Sequence, residues 1–128
     1  MSEAVQQAAI VAALTEAGAP AFDQSDLKRR AKLPTRYVEV WVMERPSEEQ
    51  RGGGVRSGAR LYRVLTRVVA EDYGDAQEVR RRVSLALEDA ALTIAGAETT
   101  PIRRAVADDP IADDDHWWSG VSEWSYAH

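Results

Sequence analysis

The sequence contains no cysteine, only two histidines and no long apolar run. Without cysteine there can be no disulfide and no thiol chemistry, and this composition favours a cytosolic protein. No segment approaches the roughly 20 apolar residues that a membrane span requires. The first residues also lack the basic and apolar regions of a signal peptide. We therefore expect a protein that neither enters a membrane nor carries a signal peptide.

Few residues are suited to catalysis. A Ser-His-Asp arrangement would have to use His116 or His128, and the sequence has no Gly-x-Ser-x-Gly motif. The glycines at 52–54 do not stand between a strand and a helix, so they do not fit a nucleotide-binding loop. We expect no enzymatic activity and no cofactor.

The strongest metal candidate is the acidic run Asp113, Asp114, Asp115 and His116. Its oxygens could bind Mg²⁺ or Ca²⁺, but the spacing does not match that of a calcium-binding loop. The simplest interpretation is a solvated acidic loop with no metal. Two alternatives stay open, namely a cation that bridges two subunits and a metal-dependent enzyme.

Charge is distributed unevenly along the chain. Residues 1–60 hold nine basic and eight acidic side chains, whereas residues 61–128 hold seven basic and thirteen acidic ones, and the net charge is −5. The acidic balance disfavours a DNA-binding protein. Solvated surface runs explain this division most simply, although opposite charge at two ends also suits head-to-tail association.

The length predicts a single domain over 1–128, with a helix and a polar connector at 1–35 and a sheet-plus-helix core at 36–126. A helix is predicted over 3–17. Its predicted inward stripe contains small apolar residues, widened by two larger ones: Val5, Ala8, Ala9, Ala12, Ala13, with Ile10 and Leu14.

The central part of the chain predicts two long strands and a second helix. Alternation places Val38, Val40 and Val42 on one face of a strand at 37–44, and a second, central strand is predicted at 60–70. A long glycine-rich loop is predicted between them, at 46–58. The second helix is predicted at 75–91, with Asp75 as its N-cap and Glu78 as the capping-box partner.

The remaining segments predict short extended pieces: a strand or turn at 92–96, an edge strand at 99–107 that contains Pro101, and a terminal strand at 117–126. The expected fold is therefore α+β, an antiparallel or mixed β-sheet with two main helices packed on it.

These elements and several short stretches resemble the tail terminator (tail completion) proteins of long-tailed bacteriophages, particularly those that infect actinobacteria. The resembling stretches are 38–42, 51–60, 62–69, 75–83, 86–88, 92–96, 100–102, the acidic turn and 118–126. None of them is a catalytic signature. The N-terminal helix and the basic residues at 28–32 are less typical of the family.

The resemblance implies a subunit of a homo-oligomeric ring, with six subunits expected, at the head-proximal end of the tail tube in the virion. Such a ring ends tube polymerisation and then joins the head. Its implied partners are further copies of itself, the major tail tube protein and the head-tail connector or stopper, and DNA passes through the lumen without specific binding. A head-to-tail stopper, a connector or a minor tail protein of the same virion is the alternative.

On this hypothesis the glycine-rich loop, exposed arginines and adjacent tryptophans form subunit or tube contacts. The expected interface residues are Arg51, Gly52, Gly53, Gly54, Arg56, Arg63, Arg67, Arg80, Arg81, Trp117 and Trp118. Trp and Tyr are common interface anchors, but packing in the subunit's own core is the simpler role for the aromatics. Local ion pairs are likewise the alternative role for the arginines.

Overall fold

A computed structural model describes residues 3–29, 33–45, 59–112 and 117–128. In these ranges the chain forms three helices and eight strands, so the fold is α+β as predicted. The elements are α1 (Glu3–Glu16), β1 (Ala21–Phe22), α2 (Gln24–Arg29), β2 (Arg36–Glu44), β3 (Leu61–Ala70), α3 (Tyr73–Leu87), β4 (Thr93–Ile94), β5 (Ala97–Glu98), β6 (Arg103–Ala107), β7 (Ile111–Ala112) and β8 (Trp118–Ala127).

The main sheet is mixed and has β3 near its centre. Its strand order is β1-β2-β3-β8-β6, and β7 also pairs with β8. Strand β1 runs parallel to β2, and the other pairs are antiparallel. Strands β4 and β5 form a separate hairpin. The central position predicted for the second long strand is confirmed.

The register of the sheet separates its side chains into two faces. Val64 lies opposite Val42 on β2 and Trp124 on β8, and this row faces the helices. Residues of α1 and α3, among them Ile10 and Val79, complete the same core. Burial of this apolar layer is the main force that holds the helices against the sheet. The predicted shared face of Val38, Val40 and Val42 is confirmed.

Helix α1 matches the predicted segment closely, and its predicted inward stripe is right for Ile10 and Leu14 but wrong for Val5, Ala8 and Ala12. The buried residues are Gln6, Ile10 and Leu14, whereas Val5 is 41% exposed. Ile10 and Leu14 bury more apolar area than alanines would, so they decide the rotation of the helix. Gln6 is buried between them and β8 because its amide has hydrogen-bond partners there.

Helix α3 begins two residues before the predicted start, and Asp75 is not its N-cap. The side chain of Asp72 accepts a hydrogen bond from the Asp75 amide at 2.8 Å and caps the helix. The helix ends at Leu87 rather than at 91. Beyond it the Asp89 N–H donates to the Ile102 carbonyl, because the chain now pairs with the segment before β6.

Residues 23–35 were expected to be only a polar connector, but they contain α2. The side chain of Asp23 accepts a hydrogen bond from the Asp26 amide at the start of this short helix. Strand β1 precedes it and pairs with Val38 and Glu39. A two-residue strand and a six-residue helix are too short to produce a periodic pattern. The predicted glycine-rich loop at 46–58 lies outside the described residues.

Candidate assembly surfaces

One face of the main sheet is turned away from α1 and α3, and we call it the open face. It carries residues 37, 39, 41 and 43 of β2, alternate residues 61–69 of β3, and residues 119–125 of β8 at odd numbers. Near β1, Tyr37 and Val69 are buried, and Tyr37 contacts the ring of Phe22. Glu39 is buried as well, and the rest of the open face is partly or fully accessible.

Two of the predicted interface residues, Arg63 and Arg67, lie on the open face. The guanidinium of Arg67 is 3.0 Å from the carboxylate of Glu39, and that of Arg63 is 2.5 Å from that of Glu123. Both are ion pairs between neighbouring strands. The Arg63–Glu123 pair is partly exposed on both sides and contributes little net stability. The Glu39 side chain is only 12% exposed, so Arg67 is the partner of a nearly buried carboxylate. Their part in assembly stays a prediction.

An apolar region accompanies these ion pairs on the open face. Trp41 and Leu65 lie opposite each other in the register and are half-buried. Towards the edge, Val121, Val106 and Ile111 are 39%, 47% and 69% exposed. Exposed apolar groups bordered by charged ones are typical of a surface that another protein covers.

The arginines of α3 form local ion pairs. Arg80 contacts Asp109 at 2.9 Å, and Arg81 contacts Glu78 at 2.8 Å. Arg82 also contacts Glu78, and it donates a hydrogen bond to the Gly18 carbonyl after α1. The hydrogen bonds from Arg81 and Arg82 lower the pKa of the Glu78 carboxyl to about 2. Glu78 is therefore a partner of arginines, not the predicted capping-box residue.

The adjacent tryptophans have different environments. Trp118 lies on the helix-covered face, where its ring meets that of Tyr73 edge-on at a centroid distance of 5.0 Å. It packs against the core without a second subunit. Trp124 and Tyr126 share that face. Trp117 precedes β8 and is half-buried.

The remaining predicted interface residues belong to the glycine-rich loop. Arg51, Gly52, Gly53, Gly54 and Arg56 lie outside the described residues, and so does the acidic run at 113–116. Within the described ranges, no group of three or more His, Asp or Glu side chains could hold a metal ion. No helix there is long and apolar enough to cross a membrane.

Sequence reasoning missed the polar contacts of α1. The Gln7 side chain donates to the Val40 carbonyl at 2.6 Å and accepts from the Val42 N–H at 2.7 Å. One turn earlier, the Glu3 carboxylate accepts from the Glu44 N–H at 2.7 Å. We call Glu3 and Gln7 the edge cap, because both bond to the backbone of β2 on the side away from β3. Glutamines in an alanine-rich helix were the available sequence signal.

A second polar group lies under α1. The Tyr126 hydroxyl donates to the Gln6 side chain at 2.6 Å, and Gln6 in turn contacts the His128 ring at 3.0 Å. The other ring nitrogen of His128 faces the Ile94 carbonyl in the β4–β5 hairpin. Burial raises the pKa of the Tyr126 phenol. This group joins α1, β8 and the hairpin.

Helices on one face of a mixed sheet, with the other face open, define an α+β fold, and solved structures share it. A chain of the virion of the native gene transfer agent particle aligns with 98% of this chain and 98% of its own length, at a TM-score of 0.69 and 16% identity. A second solved chain aligns with 99% of this chain and 95% of its own, at a TM-score of 0.55 and 15% identity. At these identities the likeness is one of fold. No family model and no curated protein sequence matches the chain.

Proposed function

We propose that this protein is a non-enzymatic structural component of a phage-like virion, and that it acts as a tail terminator. The observation that carries the proposal is the fold likeness to a chain of the gene transfer agent virion, which covers 98% of both chains. Alignment over the full length favours a shared role as a subunit more than a shared small module. The resemblance of residues 36–126 to tail terminators supports the finer assignment.

In this role the subunits form a ring, with six copies expected, on the head-proximal end of the tail tube. The ring stops addition of the major tail tube protein and offers a surface to the head connector. DNA passes through the lumen without specific contacts. The net charge of −5 agrees with a ring that does not bind DNA tightly.

The open face supports an assembly role. It presents Val121, Val106 and Ile111 to solvent beside the ion pairs of Arg63 and Arg67. A neighbouring subunit or the tube end would bury the aliphatic groups, and the paired charges would limit which partner fits. No catalytic step is proposed for any residue.

A tube-assembly experiment tests the function. Purified tail tube protein is polymerised with and without this chain, and tube lengths are measured by electron microscopy. A terminator shortens the tubes and appears at one end of each tube. Identical length distributions would contradict the proposal.

Particles that lack the protein separate the terminator from a head-to-tail stopper. Loss of a terminator gives overlong tails, whereas loss of a stopper gives tails of normal length that are not joined to heads. The second result would replace the terminator by the stopper and leave the virion role in place.

A further inference from the structure

The outer edge of β2 is occupied along its length. Near β1, the Val38 N–H donates to the Pro20 carbonyl at 2.8 Å. Further along, the edge cap supplies the partners of Val40, Val42 and Glu44. The side-chain amide of Gln7 donates to the Val40 carbonyl and accepts from the Val42 N–H. A peptide group of an added strand would bond to these two backbone groups in the same way. The cap thus fills positions that a further strand could use.

The edge cap is held mainly by polar contacts. In the first two turns of α1 only Gln6 is buried, whereas the aliphatic anchors Ile10 and Leu14 lie in the second half. Val5 and Ala8 are exposed. A cavity of about 260 Å³ lies beside the cap, lined by residues that include Gln7, Asp23 and Val42. Displacement of the Glu3 and Gln7 side chains alone, with Gln6 kept in its buried position, would therefore expose little apolar surface.

The other end of the main sheet carries the edge strand β6. Its side chains are largely exposed, and it pairs with β8 on one side. On its other side, Ile102 exchanges backbone hydrogen bonds with Asp89 and Ala90. Within the described ranges, no strand pairs with this side of β6 itself. A register shift after Arg104 limits this edge to a short ladder.

The two edges carry some side chains of opposite charge. Strand β6 has Arg103 and Arg104, whereas Glu3 and Asp23 border the β2 edge, where Glu44 is already paired with Arg60. Both arginines already contact Asp89 or Glu88 of their own subunit, but these pairs are exposed. Exposed pairs exchange partners at little cost. The arginines of β6 on a second copy of this chain are thus complementary to the carboxylates of Glu3 and Asp23 at the β2 edge.

We propose that in the assembled protein β6 of one copy pairs with the β2 edge of the next and displaces Gln7 and Glu3. This inference rests on the proposed ring, because it states how neighbouring subunits join. The contact uses different surfaces on the two copies, so repeated copies form a closed ring or an open chain. In the free subunit the edge cap satisfies the same backbone groups and opposes early association.

The first experiment replaces Gln7 by alanine in the full chain, with Gln24→Ala as the matched control. Gln24 is exposed and also lines the cavity. Loss of the cap's two hydrogen bonds leaves the edge open, so sedimentation equilibrium should show self-association about tenfold tighter for Q7A. Unchanged or weaker association of Q7A, with a native circular dichroism spectrum and an unchanged Q24A control, would overturn the inference.

The second experiment maps the contact and stays informative if Q7A folds poorly. Because the chain has no cysteine, Met43→Cys on β2 and Val106→Cys on β6 give single reactive sites on the open face. A short bismaleimide should link M43C to V106C in mixed oligomers. Leu85→Cys, which is 68% exposed on α3, is the control and should not link to M43C.

The outcomes separate the contact from the function. Rings seen by electron microscopy without a link between M43C and V106C overturn the strand pairing and leave the terminator proposal standing. Failure of wild type and Q7A to form any oligomer, alone or on tube ends, overturns both.

Discussion

The indole N–H of Trp124 donates a hydrogen bond to the Thr66 hydroxyl at 3.1 Å, between residues 58 positions apart. Both side chains are fully buried. The bond satisfies the one polar atom of a large aromatic side chain inside the core. It also holds the side chains of Thr66 on β3 and Trp124 on β8 in a fixed relative position.

Replacing Thr66 by valine should destabilise the fold. The change keeps the side-chain shape but leaves the indole N–H without a partner, which costs about 1–3 kcal/mol in the free energy of unfolding. Urea denaturation measures the loss. The control is Thr93→Val on the exposed face of the hairpin, where the change should stay within about 0.5 kcal/mol. Equal effects of the two substitutions would contradict this role of Thr66.

The Tyr126 phenol should make the protein sensitive to alkali. Because burial raises its pKa in the folded state, the stabilisation is complete below the ordinary tyrosine pKa. It is then lost as pH rises from about 10 towards the folded value, since the unfolded chain ionises first. Stability measured between neutral pH and pH 11 should fall more steeply for wild type than for Tyr126→Phe. Parallel curves would show that another group causes the loss.

Glu78 should titrate at an unusually low pH. Its folded pKa, about 2, lies below the ordinary value because Arg81 and Arg82 hydrogen-bond to the carboxylate. Any stabilisation of the fold by the bonds between Glu78 and the two arginines is present above the pKa of Glu78 in the unfolded chain, and it is lost as pH falls towards 2. NMR titration of the side-chain carboxyl should give that midpoint in wild type. Replacing both Arg81 and Arg82 by glutamine should return it to near 4.3; an unchanged midpoint would argue against the arginines as the cause.

The open face should tolerate a charge in the free subunit but not in the assembly. Val121 is 39% exposed, so Val121→Lys should change the free energy of unfolding by less than about 0.5 kcal/mol. A lysine there would be buried against a partner, and ring formation and tube-length control should fall at least tenfold. Leu85→Lys, on the outer side of α3, is the matched control and should keep both activities. If V121K assembles as wild type does, this region is not an interface.

The sequence predicted the long elements better than their contacts. Strands β2, β3 and β8 and most of α3 follow from strong periodicity. The rotation of α1 did not follow, because a run of alanines has nearly uniform hydrophobicity and Gln6 looks like a surface residue. Its burial depends on Tyr126, 120 positions away. Strand β1 and helix α2 are too short for their patterns to be recognised.

The same limit applies to the candidate surfaces. Arg63 and Arg67 lie on one face of β3, as residues four positions apart on a strand must. Their partners could not be predicted, because the pairing of Arg63 with Glu123 depends on the register of strands 60 positions apart. The edge cap was missed for a related reason: glutamine bonds to the backbone leave no periodic pattern in the sequence.

The position of β8 beside β3 has a consequence for synthesis. β2 and β3 can pair early, but β3 meets its other neighbour only when residues 118–127 have been made. Until then the sheet of a nascent chain is incomplete, because β6 and β7 pair with β8 and have no partner strand. Contacts between such distant residues also slow folding relative to a helical bundle. On the proposed function, we expect subunits to become competent for assembly only once residues 118–127 have been added, so chains truncated before β8 would not assemble.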